Sequence, residues 1–212
     1  MNDPDATSGG WSSNVGRAWM PRYDRRVSGR PVTNRWSVGE FLRAWETGAF
    51  DRRVELVEGE VWPVSRGTWA GDTQALIAHL LRAPGVRVSA STLDVGADDS
   101  LPDPDCFVRR ADAKPIGTRG TRLQVWDPAD VHLVVEISDD SVLVDLNTKA
   151  RLYGKAGYEV YWVVTRDVIY EHTSPTPQGY RTRTEYRPGD RIPLPYADTT
   201  FSVAEILGHD GE

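Results

Sequence analysis

The sequence holds a single cysteine, Cys106, among 212 residues. No disulfide can close within the chain, and a cysteine zinc site is excluded. Such sparing use fits a reducing compartment. Histidine is scarce too. His79, His132, His172 and His209 show no H-x-x-x-H or comparable spacing, so no histidine zinc centre is expected. Long apolar runs are missing, and nothing approaches the roughly 20 residues of a membrane span. The opening MNDPDATSGGWSSN carries acids where a secretory signal needs positive charge, and no apolar stretch follows. The expectation is a soluble, cytoplasmic protein with no membrane partner. Positive charge is not in excess either: the formal net charge is −6. Proteins that coat nucleic acid by bulk charge rely on Lys and Arg. The balance argues against that class, but it does not exclude an enzyme with a local basic surface around an acidic centre.

The length suits one full core. Residues 1–34 are rich in Gly, Ser, Pro, Asp and Arg without an apolar period, and read as a flexible leader. Residues 35–208 read as one domain, and 209–212 as a tail. In SVGEFLRAWETG, Ser37 and Glu40 form an S-x-x-E capping box. Val38, Phe41, Leu42 and Trp45 then recur at helical spacing, and Gly48 is a stop. RVELVEGEVWPV reads as a hairpin turning at Glu58-Gly59. Residues 72–83 predict a second amphipathic helix capped by Asp72. VRVSAST and DCFVRR predict two strands, and 111–128 a polar loop. ADVHLVVEIS is the strongest buried-strand signal, suited to a central strand covered on both faces. A helix over 142–156 ends near Gly157. YEVYWVVT and DVIYEHT are strands, GYRTRTEYRPGDRIPLP a further hairpin and turn, and TFSVAEIL closes the chain. Strands mixed with helices imply an α/β or α+β layer fold with a mixed sheet.

Four ionisable residues stand where a core should not want them: Glu55, Asp105, Glu136 and Lys149. Period-two alternation groups His132, Val134, Glu136 and Ser138 on one strand face. A buried lone carboxylate there costs several kcal/mol, or takes up a proton. It needs a cation, a strong donor or solvent. A divalent ion shared with Asp105 would supply the cation, and hard oxygen ligands suit Mg²⁺ or Mn²⁺. Asp103 competes for that role. It lies between two prolines and reads as a turn cap, whereas Asp105 leads directly into the apolar Cys106-Phe107-Val108 run. Cys106 should point to the opposite face, into packing. Lys149 follows Asp145 by four residues, which by spacing alone suits an ordinary i,i+4 ion pair on a wet helix face. Tryptophans abound, and Trp69 and Trp126 fall in loops, where they either pack or stack on bases. Arg109, Arg110, Lys114, Arg119, Arg122, Arg181 and Arg183 offer phosphate contacts or ordinary solvated surface.

The ordered set VELVEGEVWPVS, LPDPDCFV, LVVEIS, D-x-x-x-K-x-x-x-Y over Asp145–Tyr153, and GYEVYWVV resembles the Uma family of restriction endonucleases, within the PD-(D/E)XK nuclease superfamily. The likeness runs from about Trp36 to Leu207. It implies a restriction-endonuclease-like core, a mixed sheet flanked by helices. It implies that Asp105 and Glu136 are catalytic acids holding Mg²⁺ or Mn²⁺ with the backbone carbonyl of Ile137. Lys149 would be the catalytic lysine, displaced from the usual place two residues after the strand acid, where this chain has Ser138. Glu55 would complete the metal site, with Asp145 and Ser138 supporting. Ser138-Asp139-Asp140-Ser141 stands where the family usually has S-P-S-T, and its added acids would repel a phosphate unless a metal intervened. The implied function is a metal-dependent endonuclease cutting phosphodiesters in nucleic acid, with DNA the expected partner and a homodimer possible. The alternative is a nuclease-like fold kept as an inactive binding module.

Overall fold

The computed structural model describes residues 35–64 and 67–208. The leader expected over 1–34 and the tail over 209–212 lie outside the described residues. The chain first forms α1 (Val38–Glu46). The Ser37 hydroxyl accepts the Glu40 N–H, and the Glu40 carboxylate accepts the Ser37 N–H at 2.9 Å, closing the capping box. Strands β1 (Val54–Val57) and β2 (Glu60–Pro63) pair antiparallel. Their two-residue turn places Glu58 and Gly59 at φ 48° and 79°, the left-handed pair a tight hairpin demands.

After α2 (Thr68–Leu80) come β3 (Val86–Ser89), β4 (Cys106–Arg110), β5 (Gly117–Arg119), β6 (Leu123–Val125) and β7 (Val131–Ile137). A π-helical run, Val144–Lys149, leads into α3 (Ala150–Ala156). The remainder is β8 (Val160–Val164), β9 (Ile169–Thr176), β10 (Gly179–Tyr186), β11 (Arg191–Pro193), β12 (Thr200–Ser202) and α4 (Val203–Leu207). Six strands form one sheet in the order β10-β9-β8-β7-β4-β3. Only β7 and β8 are parallel within it, because the helix between them supplies the crossover a parallel pair needs. The fold is therefore α+β with a mixed sheet flanked by helices. Alternation along β7 splits the interior. Leu133, Val135 and Ile137 pack with Ile77 of α2 and Ile206 of α4, and Val134 packs with Leu152 and Tyr153 of α3. Cys106 joins the first of these cores, as expected. Burying each large side chain contributes roughly 1.5–3 kcal/mol.

Several expectations need correction. The second helix starts at Thr68 rather than at 72, so Asp72 lies inside it and caps nothing; Gly67 is the N-cap. Trp69 is consequently helical, and the Arg166 guanidinium covers its ring at 4.5 Å. Trp126 is buried, not exposed. The segment 111–128 holds the small hairpin β5–β6, whose three-residue strands are too short to show a period. GYRTRTEY does not pair within its own segment. It returns on β9, while Arg191–Pro193 pairs with Thr200–Ser202. His132 does not share the Val134 and Glu136 face. Arg109 pairs with Val131 and Val108 with Leu133, which leaves His132 as a bulge residue. Its ring lies 5.7 Å from that of Tyr196, on the opposite core.

Candidate active site

The stretch LPDPD is buried throughout, although it is not a strand. Buried backbone must satisfy its donors. Pro102 and Pro104 carry no N–H, which removes two obligations. The rest is tied to the first hairpin. Leu56 and Leu101 exchange backbone hydrogen bonds at 3.3 and 2.7 Å, and the Asp103 N–H donates to Oε2 of Glu55 at 3.1 Å. This fixes Glu55 beside the entrance to β4.

Cys106 pairs with Val135, so one further step in antiparallel register sets Asp105 opposite Glu136. Directly opposed residues project to the same face. The Ile137 N–H donates to Oδ2 of Asp105 at 2.7 Å, so the side chain takes a donor that would otherwise extend the ladder. Gln74 of α2 donates to the Asp105 carbonyl at 2.5 Å and holds the backbone from the other side.

Lys149 arrives from the helix. Its Nζ lies 2.9 Å from Glu55 Oε1, 3.1 Å from Glu136 Oε1 and 3.3 Å from Asp145 Oδ1, with the residue only 5% exposed. The i,i+4 pairing with Asp145 exists, but the helix face is buried rather than wet. The Asp145 Oδ1 contact lacks hydrogen-bond geometry. Its Oδ2 instead accepts from Ser138 at 2.7 Å and Ser141 at 2.5 Å. Ser138 thus anchors the helix to the end of β7. The π-helical stretch, a feature often found at functional sites, shows as an Ala150 N–H reaching back five residues to the Asp145 carbonyl. Tyr161 donates to that same carbonyl at 3.1 Å.

Glu55, Asp105, Glu136, Asp145 and Lys149 all line one cavity of about 340 Å³, together with Ile137 and Asp103. All five are buried. Four carboxylates face one ammonium. Burial pushes the Glu136 carboxyl well above the usual range, Lys149 opposes this, and Asp145, Glu55 and Asp105 add to it. Burial alone would lower the Lys149 ammonium, but Glu136, Glu55 and Asp145 together outweigh it and hold the proton on.

Two participants were not assigned from the sequence. The Tyr153 hydroxyl donates to Oε1 of Glu136 at 3.0 Å. Burial, then Glu136, raises its pKa well above the usual tyrosine range, so it stays a donor. The signal was the spacing: Asp145, Lys149 and Tyr153 recur every four residues along one helix stripe. Arg53 forms an ion pair with Asp103. Asp103 is thus a buried member of the cavity wall and not a turn cap. Asp139 pairs with Arg166 at 2.9 Å, which offsets one of the two acids expected to repel a phosphate.

Among the described residues, no three His, Cys, Asp or Glu side chains are gathered as a closed metal centre. The donors nevertheless suit an open magnesium-type site, which takes one or two carboxylates and keeps several waters. Asp105 and Glu136 are hard oxygen donors side by side on the cavity wall. Lys149 and Tyr153 both bind Oε1 of Glu136, and Oε2 takes no hydrogen bond among the described residues.

A mixed sheet whose adjoining strands project acids into a lysine-bearing cavity defines a restriction-endonuclease-like domain. Residues 39–204 match the model of the Uma2 family, described as "putative restriction endonuclease", and the chain belongs to that family. The structure is similar to that of a "putative nuclease belonging to DUF820" from Anabaena variabilis. The TM-score is 0.60 at 14% identity, over 82% of this chain and 98% of that one. At that identity the likeness speaks for the fold alone. No curated protein matches the chain.

Proposed function

We propose that the chain is a metal-dependent nuclease hydrolysing phosphodiester bonds in DNA. The observation carrying this reading is the convergence of Asp105, Glu136, Glu55 and Lys149 on one cavity from four separate segments. Membership of a family described as "putative restriction endonuclease" supports it. Asp105, Glu136 and the Ile137 carbonyl would hold Mg²⁺ or Mn²⁺, whereas Glu55, whose two oxygens meet Lys149 and the Asp103 N–H, positions the lysine. An ion bound there would acidify a water and offset phosphate charge. Lys149 keeps its proton among three carboxylates, so it serves as a fixed positive charge rather than as a base. Its ammonium stabilises negative charge developing on the phosphate. Tyr153 and Lys149 orient the Glu136 carboxylate, and Ser138 and Ser141 hold Asp145 against the lysine. The Ile137 N–H orients Asp105.

Asp105→Asn keeps shape and removes one acid. Incubation of plasmid and oligonucleotide DNA with Mg²⁺ or Mn²⁺ should show cleavage by the parent protein and a loss of at least a hundredfold in the variant. Equal cleavage by the two would refute the assignment. Failure of the parent to cut any DNA or RNA with either ion would favour an inactive binding module.

A further inference from the structure

A second cavity, of about 570 Å³, adjoins the acidic one. Asp103 lines both, and its ion-pair partner Arg53 lines the second. The pair thus stands between them. The two differ in chemistry. The acidic cavity gathers carboxylates around Lys149, whereas the second presents Arg53, Arg109 and Arg122 against the single carboxylate of Asp103.

Part of its wall is aromatic. Phe41 and Trp45 come from α1, and Trp45 is 45% exposed. Trp126 forms another wall, and the Arg109 guanidinium lies over its ring at 3.8 Å from the centroid. Arg109 Nε is buried and has no hydrogen-bond partner among the described residues. Neither Arg109 nor Arg122 forms an ion pair among them. Arg110, next in sequence, contrasts in pairing with Asp112 at 2.9 Å. Stacked guanidinium, exposed indole and unpaired positive charge are the groups that bind a base and its phosphate. The volume falls within the about 300–1,000 Å³ of small-molecule sites.

We propose that this cavity receives one unpaired nucleotide, single-stranded or flipped out of a duplex. Its base stacks against the Arg109 guanidinium and the Trp45 indole, and its phosphate is bound by Arg122. A base inside a duplex is already stacked and cannot enter such a pocket. That this nucleotide belongs to the strand being cut rests on the nuclease reading; the binding itself does not.

The test titrates the full-length protein in EDTA with deoxyadenosine monophosphate, deoxyadenosine and inorganic phosphate, following tryptophan fluorescence and calorimetric heat. The monophosphate should bind saturably, and nucleoside or phosphate alone more weakly. Trp45→Ala and Arg122→Ala, both at exposed positions and checked for folding by circular dichroism, should each weaken binding roughly tenfold, as for loss of one stacking or charge contact. The proposal is overturned if the monophosphate does not bind, if phosphate binds equally well, or if both variants match the parent. A parent protein that binds the monophosphate but cleaves nothing would sink the nuclease reading alone. One that cleaves DNA but binds no monophosphate would sink this one alone.

Discussion

Replacing Lys149 by Met tests the ionic cluster itself. The substitution keeps most of the side-chain length and removes the ammonium from among Glu55, Glu136 and Asp145, at 2.9, 3.1 and 3.3 Å. Breaking a buried ion pair by deleting one partner costs about 3–5 kcal/mol, because the remaining charge is left buried and unpaired. Here three carboxylates lose their shared cation, so the expected loss at pH 8 lies at the upper part of that range. Protonation relieves it. A carboxyl whose folded pKa lies above its unfolded value contributes stability below the unfolded pKa, and this is lost as pH rises through the folded one. Glu136 is already raised, and removing Lys149 raises it further. The deficit of Lys149→Met should therefore be largest at pH 8 and shrink toward pH 5. Urea unfolding followed by tryptophan fluorescence at both pH values measures it. A variant within about 1 kcal/mol of the parent at pH 8, or a deficit that grows on acidification, would refute the description of the cluster.

His172 is buried, its Nδ1 has no hydrogen-bond partner among the described residues, and burial followed by Arg183 lowers its pKa from 6.5 to about 4. A depressed histidine contributes stability above the unfolded pKa and loses it as pH falls, here between 6.5 and about 4, by up to about 3 kcal/mol. His172→Gln should flatten the stability profile of thermal melts across that window. Gly154 of α3 faces Gly179, and a Cβ there would meet the Gly179 carbonyl carbon at 2.5 Å. Gly154→Ala should destabilise by about 3 kcal/mol, the upper end of overpacking effects, as read from denaturant midpoints. Glu136→Gln should lose DNA cleavage yet unfold no more easily than the parent in metal-free buffer, because a buried charge is removed while Lys149 keeps Glu55 and Asp145.

Much of this arrangement was written locally in the sequence. The capping box of α1 and the turn at Glu58-Gly59 are short-range chemistry, and the structure keeps both. The apolar run of β7 made Glu136 conspicuous, because an acid there needs a partner. What pattern could not supply was anything set by distant pairing. The bulge that turns His132 away depends on register with β4. The burial of Asp103 depends on Arg53, and proline spacing alone reads as a turn. The π-helical run leaves the apolar periodicity nearly intact. Tyr153 stood in plain spacing with Asp145 and Lys149, but its role needed the depth of the helix against the sheet. Asp72 looked like a cap because an acid precedes an apolar run. The helix instead begins at Thr68, after a glycine cap with no side-chain hydrogen bond to announce it.

Under the proposed function a divalent ion sits in the acidic cavity between Asp105 and Glu136. Crystals soaked in Mn²⁺ and measured at the manganese absorption edge would locate it. An anomalous peak is expected in contact with both carboxylates in the parent protein, and none there in Asp105→Asn. Manganese bound elsewhere, with Lys149 still seated between Glu55 and Glu136 and no peak beside Asp105, would contradict it.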